Sequence, residues 1–139
     1  MKENMKSNLK LYEPVEFIID CLLPYLTITP VDEVITVFPV CSMKKMEMDG
    51  KLVSLAKICA KEVIISDTNC CGFAGDRGFT FPELNKHGLT NLKNQLPETV
   101  INGYSTSRTC EIGLSLHTGV SYKSIVYLVD RVSSSKTNL

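Results

Sequence analysis

Hydrophobic positions change their spacing in an orderly way along the chain. Val15, Ile18, Ile19, Leu22 and Leu26 recur at helical spacing. Pro14 suits the first turn of that helix, where a missing N–H costs nothing, and Pro24 and Pro30 end it near Leu26. Residues 34–40 (VITVFPV) are β-branched and almost continuously apolar, the pattern of a strand buried on both faces. Asp49 can cap a helix whose Leu52, Leu55, Ala56 and Cys59 make an inner stripe. Residues 62–66 (EVIIS) predict a second short strand. The segment from Asp67 to Thr80 is rich in glycine and polar residues and cannot be regular throughout. Thr80-Phe81-Pro82-Glu83 resembles a capping box and opens a helix running to about Leu96, with Leu89, Leu92 and Leu96 turned inward. Residues 99–103 (TVING) predict a third strand, weakly patterned. The Ser/Thr-rich turn at 105–109 can cap a helix ending at Gly119, and residues 124–129 (SIVYLV) predict the fourth and clearest strand.

The order is a helix followed by β-α-β-α-β-α-β. Strands that alternate with helices imply crossover connections and a mostly parallel sheet. The expectation is a single α/β domain of three layers over residues 9–132, with a mostly parallel sheet of about four strands. Polar residues 1–8 and 133–139 then form flexible termini.

Composition narrows the function classes. The chain has 139 residues, 44% hydrophobic and 22% charged, as in an ordinary globular protein. Fifteen basic residues balance fifteen acidic ones, which argues against nucleic-acid binding through a broad basic surface. No apolar run approaches the roughly 18 residues of a membrane span. The first ten residues, MKENMKSNLK, hold no apolar signal region, so the expected location is the cytoplasm.

Six cysteines change this picture: Cys21, Cys41, Cys59, Cys70, Cys71 and Cys110. A chain of this length buries a core without disulfide staples, so metal binding, thiol chemistry or core packing are the readings to weigh. Cys21 and Cys59 fall on inner helical stripes and are assigned to packing. Cys41 follows the first strand, Cys70 and Cys71 the second, and Cys110 the third, all at strand C-terminal ends, where open α/β sheets build their sites. Gly72, Gly75 and Gly78 let backbone approach a bulky object closely, although their spacing is not the dinucleotide fingerprint. Four thiolates can hold one zinc. Adjacent cysteines strain to aim both sulfurs at one small ion and reach different irons of an iron–sulfur cluster more easily. Cluster, zinc and uncomplexed thiols all stay open on this chemistry.

At Cys70-Cys71-Gly72 the sequence resembles the cysteine-rich CCG domain of heterodisulfide reductase subunits and of iron–sulfur subunits of glycolate and glycerol-3-phosphate dehydrogenases. Through CCGFAGDRGF, PELN, GYSTSRTCEIGLS and YKSIVYLVDR it looks like the C-terminal end of bacterial fused FAD- and iron–sulfur-containing D-lactate dehydrogenase-like proteins. That resemblance spans about residues 9–131. It implies an electron-transfer module of a flavin-dependent D-2-hydroxy-acid dehydrogenase, without turnover by this chain alone. Its implied partners are the flavin and ferredoxin-like domains of the same parent polypeptide and a downstream electron acceptor. FAD would belong to that parent, and the module could sit at the cytoplasmic face of the membrane through its partners. The implied metal ligands are Cys41, Cys70, Cys71 and Cys110, with Gly72, Gly75 and Arg108 around the cofactor. The fullest CCG pattern ends in CxxC, whereas Ser107 stands at the first of those positions here. Four thiolates suit a [4Fe–4S] cluster better than the larger clusters of heterodisulfide reductase, with zinc as the alternative.

Other residues have milder readings beside sharper ones. The Asp76-Arg77 pair can steer an acid or brace the glycine loop, and Arg108 can offset cluster charge or hydrogen-bond nearby carbonyls. His87 and His117 are expected on outward helix faces. Tyr104 and Tyr127 are expected in the core or an interface, and Met43, Met46 and Met48 in a pocket lining or a hydrophobic lid.

Overall fold

Residues 9–66, 80, 81, 83, 86, 89 and 92–136 are described by the structure, a computed structural model. Strand β2 (Val31–Val37) lies inside a four-stranded sheet of order β3-β2-β4-β5, where β3 is Ala60–Ile65, β4 is Asn102–Ser105 and β5 is Ser121–Ser124. Every pairing in that sheet is parallel. Ile35, Thr36, Val37 and Phe38 are each 0% exposed. Because neighbouring side chains on a strand point to opposite faces, both faces of β2 must be covered.

Two groups of helices provide that cover. Helices α1 (Pro14–Phe17) and α6 (Ile125–Val132) both pack on α3 (Asp49–Cys59), while α4 (Leu92–Gln95) packs on α5 (Arg108–Thr118). The expected three-layer α/β arrangement is thus observed. The inner stripe of α3 is as expected, with Leu52, Leu55, Ala56 and Cys59 each 0% exposed. Asp49 is its first helical residue rather than its cap. Leu89 and Leu92 are buried and Leu96 packs against the core, as the 80–96 pattern predicted. Helix α5 ends on Gly119 with φ +78°, the left-handed conformation that glycine adopts without penalty.

Three expectations are corrected. Residues 125–129 of the expected fourth strand (124–129) belong to helix α6, and the strand, β5, precedes them. Ile125, Leu128, Val129 and Val132 are buried while Val126 and Tyr127 are exposed, a helical repeat that a short β-branched run conceals. Ser124 caps this helix, its Oγ accepting from Val126 N at 3.3 Å. The expected first helix is also irregular. Beyond α1 the chain winds as a π turn (Ile18–Leu22) and a 3-10 turn (Leu23–Tyr25) before strand β1 (Leu26–Ile28), because Pro24 has no N–H for an α-helical bond. Residues 133–135, expected within a flexible tail, form β6 and pair antiparallel with β1. The first three strands also shift against their expected limits of 34–40, 62–66 and 99–103 by a few residues.

Side chains stitch the layers together. Arg131 of α6 donates to both carboxylate oxygens of Glu33 on β2, at 3.0 and 3.1 Å, and Asn102 of β4 donates to the same carboxylate at 3.1 Å. The Arg131 hydrogen bonds hold the Glu33 carboxyl below its ordinary range. On β5, the backbone N–H of Tyr122 donates to Ser115 Oγ at 2.9 Å, so α5 covers part of an exposed sheet edge. The Tyr122 ring lies across Gly103 of the neighbouring strand. A Cβ built on Gly103 would come within 2.6 Å of that ring, and Tyr122 is 3% exposed and has little room to retreat.

Gly103→Ala is therefore expected to cost about 1–3 kcal/mol, the usual range for overpacking, read from urea unfolding. In a Tyr122→Leu background the added methyl should cost far less. An equal penalty in both backgrounds would disprove the clash.

Candidate functional site

The C-terminal edge of the sheet gathers the chemistry because three parallel strands release their chains there. Past β2, Phe38 N donates to Tyr104 O at 3.0 Å, and Ser105 Oγ donates to Phe38 O at 2.7 Å. The post-β2 segment is thus fastened to β4 before it reaches Cys41, the first residue of helix α2 (Cys41–Lys45). On the other side of β2, Ser66 N donates to Val37 O at 3.0 Å, and its hydroxyl lies 3.2 Å from Thr36 Oγ1. Ser66, just past β3, thus stands at this same edge. Past β4, Thr106 Oγ1 donates to Met43 Sδ at 3.1 Å, and Ser107 precedes α5, whose third residue is Cys110.

Strand β2 has β3 on one side and β4 on the other, and the connection leaving β2 runs toward β3 while that leaving β4 runs the opposite way toward β5. Such a reversal opens a crevice beyond the strand ends, the usual place for a ligand in an open α/β sheet. Cys41 and Cys110 stand in the segments that flank it, Cys41 exposed and Cys110 8% exposed. Cys70, Cys71, Gly72 and Gly75, together with Asp76, Arg77 and His87, lie outside the described residues. Among the described residues, no group of three or more His, Cys, Asp or Glu side chains converges to hold a metal ion.

The remaining cysteines divide. Cys59 is buried in the core, as expected, and burial pushes its thiol up to about 11, which makes it unreactive. Cys21 is only half-buried, because the π turn carries it off the inward stripe that a regular α-helix would have made. His117 is half-buried rather than fully outward. Its Nε2 is sealed from solvent without a hydrogen-bond partner among the described residues. Tyr104 is buried, while Tyr127 is 66% exposed. Met43 belongs to the core, Met48 packs against it and Met46 is exposed.

Arg108 has a defined neighbour. Its Nη1 lies 3.7 Å from Glu111 Oε2, with the arginine side chain 75% exposed and the glutamate side chain 3% exposed. Burial raises the Glu111 carboxyl above its ordinary range, and Arg108 opposes the shift. Sequence reading did not single out Glu111. The signal was present, since Glu111, Leu114 and Thr118 occupy one helical stripe and all three are buried, so a carboxylate stood in a row otherwise turned to the core. No described helix is long and apolar enough to cross a membrane.

A buried carboxyl that keeps its proton to higher pH in the folded chain opposes folding above that pH. The penalty is relieved as pH falls toward the unfolded value. Glu111→Gln should therefore unfold at higher urea than the parent near neutral pH, with the difference shrinking as pH falls toward the ordinary carboxylate value of 4.5. A gap independent of pH would assign the effect to packing.

No family model, curated protein or solved structure matches the chain.

Proposed function

We propose that this chain is an iron–sulfur electron-transfer module, with Cys41, Cys70, Cys71 and Cys110 as ligands of a [4Fe–4S] cluster. The observation that carries the reading is topological. Cys41 and Cys110 emerge on the two sides of the β2/β4 crevice, and the segment that leads to Cys70 and Cys71 leaves β3 at the same edge. Soft thiolate donors suit iron and sulfide. When bound, such a cluster supplies reversible one-electron storage.

The chain's own residues have distinct parts in this reading. Cys110 anchors the buried side of the site at the start of α5, where amide dipoles favour a thiolate. Cys41 holds the exposed side. Met43 and Phe38 back the crevice with apolar surface and limit water. The motif resemblance extends the proposal to the partners. These are the flavin and ferredoxin-like domains of a larger D-2-hydroxy-acid dehydrogenase, where FAD would reside, and a downstream acceptor in the cytoplasm or at its membrane face.

Anaerobic purification followed by iron and acid-labile sulfide analysis tests the reading. The expected result is a brown protein with about four irons and four sulfides per chain. Cys110→Ser and Cys70→Ser should each lose most of both. One zinc per chain without sulfide would replace this reading with a structural zinc site. Metal content unchanged by either substitution would remove these cysteines from the ligand set.

A further inference from the structure

Beside the cysteine-bearing edge, a cleft of about 660 Å³ opens beyond the C-terminal ends of β4 and β5. Its described lining is Thr106, Arg108, Glu111, Lys123, Ser124 and Tyr127, with no cysteine among them. It shares Arg108 with the residues that the resemblance places around the cofactor, but its described lining holds none of the proposed cysteine ligands, and its ligand does not depend on that reading.

The charges in this lining are unequal in availability. Two cations face one carboxylate. Arg108 meets Glu111 through one guanidinium nitrogen only, at 3.7 Å, and remains 75% exposed, which leaves most of its fork of donors for another partner. Lys123 is exposed and has no ion-pair partner among the described residues. Glu111 is sealed at 3% exposure, so an incoming molecule meets the two cations first. Ser124 Oγ accepts from Val126 N and keeps its own proton to donate. Tyr127 presents an aromatic face that is 66% exposed.

The size of the cleft says more about the ligand. A volume of about 660 Å³ falls within the range for small-molecule sites and far exceeds what an inorganic anion fills. A second hollow of about 510 Å³ shares Arg108, Glu111 and Lys123 and continues past Ile112 and Leu116. The cations are thus flanked by apolar surface on both sides, Tyr127 at one end and Leu116 at the other.

We propose that this cleft binds a small organic anion, its carboxylate or phosphate group held between Arg108 and Lys123 and its carbon skeleton laid against Tyr127. Arginine and lysine recognise the head group by charge-assisted hydrogen bonds. The aromatic wall favours a ligand with an apolar body over the bare ion.

Calorimetric titration of the full 139-residue chain with benzoate, phenyl phosphate, acetate and inorganic phosphate tests this. At least one aromatic anion should bind saturably, about tenfold or more tighter than the small ion with the same head group. The preference between benzoate and phenyl phosphate identifies the head group. Arg108→Met and Lys123→Met should each weaken binding about tenfold, and Tyr127→Ala should reduce the aromatic anion to the level of the bare ion. All three positions are exposed, and unchanged urea midpoints would establish that the variants fold. No saturation by about 10 mM, equal affinity for bare and aromatic anions, or undiminished affinity in the two charge variants would overturn the proposal.

Discussion

Strand β2 runs inside the sheet with Ile35, Thr36 and Val37 closed to water, as is Phe38 just past its end, and this two-sided burial constrains everything attached to it. A strand so placed can present chemistry only at its ends. Its backbone must be satisfied by β3 and β4, and the helices on both faces must bring apolar stripes to it. Cys59 belongs to such a stripe, which is why its thiol is held in the protonated form. Cys41 escapes because it lies four residues beyond the strand's last paired position.

Polar side chains inside this layer are accommodated by short hydroxyl contacts. Thr36 donates to Ile64 O at 3.0 Å and meets Ser66 at 3.2 Å. Tyr122 reaches across Gly103 from the neighbouring strand, and its buried hydroxyl has no hydrogen-bond partner among the described residues. Burial raises that phenol above its ordinary range, and the Ser66 and Thr36 hydroxyls oppose the shift.

The same edge therefore carries two different environments. Between β2 and β4 the flanking segments bring thiols, with apolar Met43 and Phe38 beneath. Between β4 and β5 the lining is cationic, hydroxylated and aromatic. Arg108 stands at the junction, two residues before Cys110 and across from Glu111. This division follows from parallel topology, which sends each successive strand-to-helix turn to the same edge but at a different position along it.

Local pattern alone determined the α/β alternation, the inner stripe of α3, the stop at Gly119 and the placement of Cys41 and Cys110 after strands. Each depends on residue spacing within one element. What pattern could not decide was anything resting on partners distant in sequence. The run SIVYLV reads equally as strand or helix, and burial of Ile125, Leu128, Val129 and Val132 against α3 and the sheet decides for helix. Ser133–Ser135 look like a tail until Leu26–Ile28 supply an antiparallel partner. The cation-lined cleft joins side chains from two strand ends and two helices, and no single element contains them all. Tertiary structure decided these points because burial, strand pairing and electrostatic neighbourhood depend on which segments share space, and short-range spacing carries no record of that.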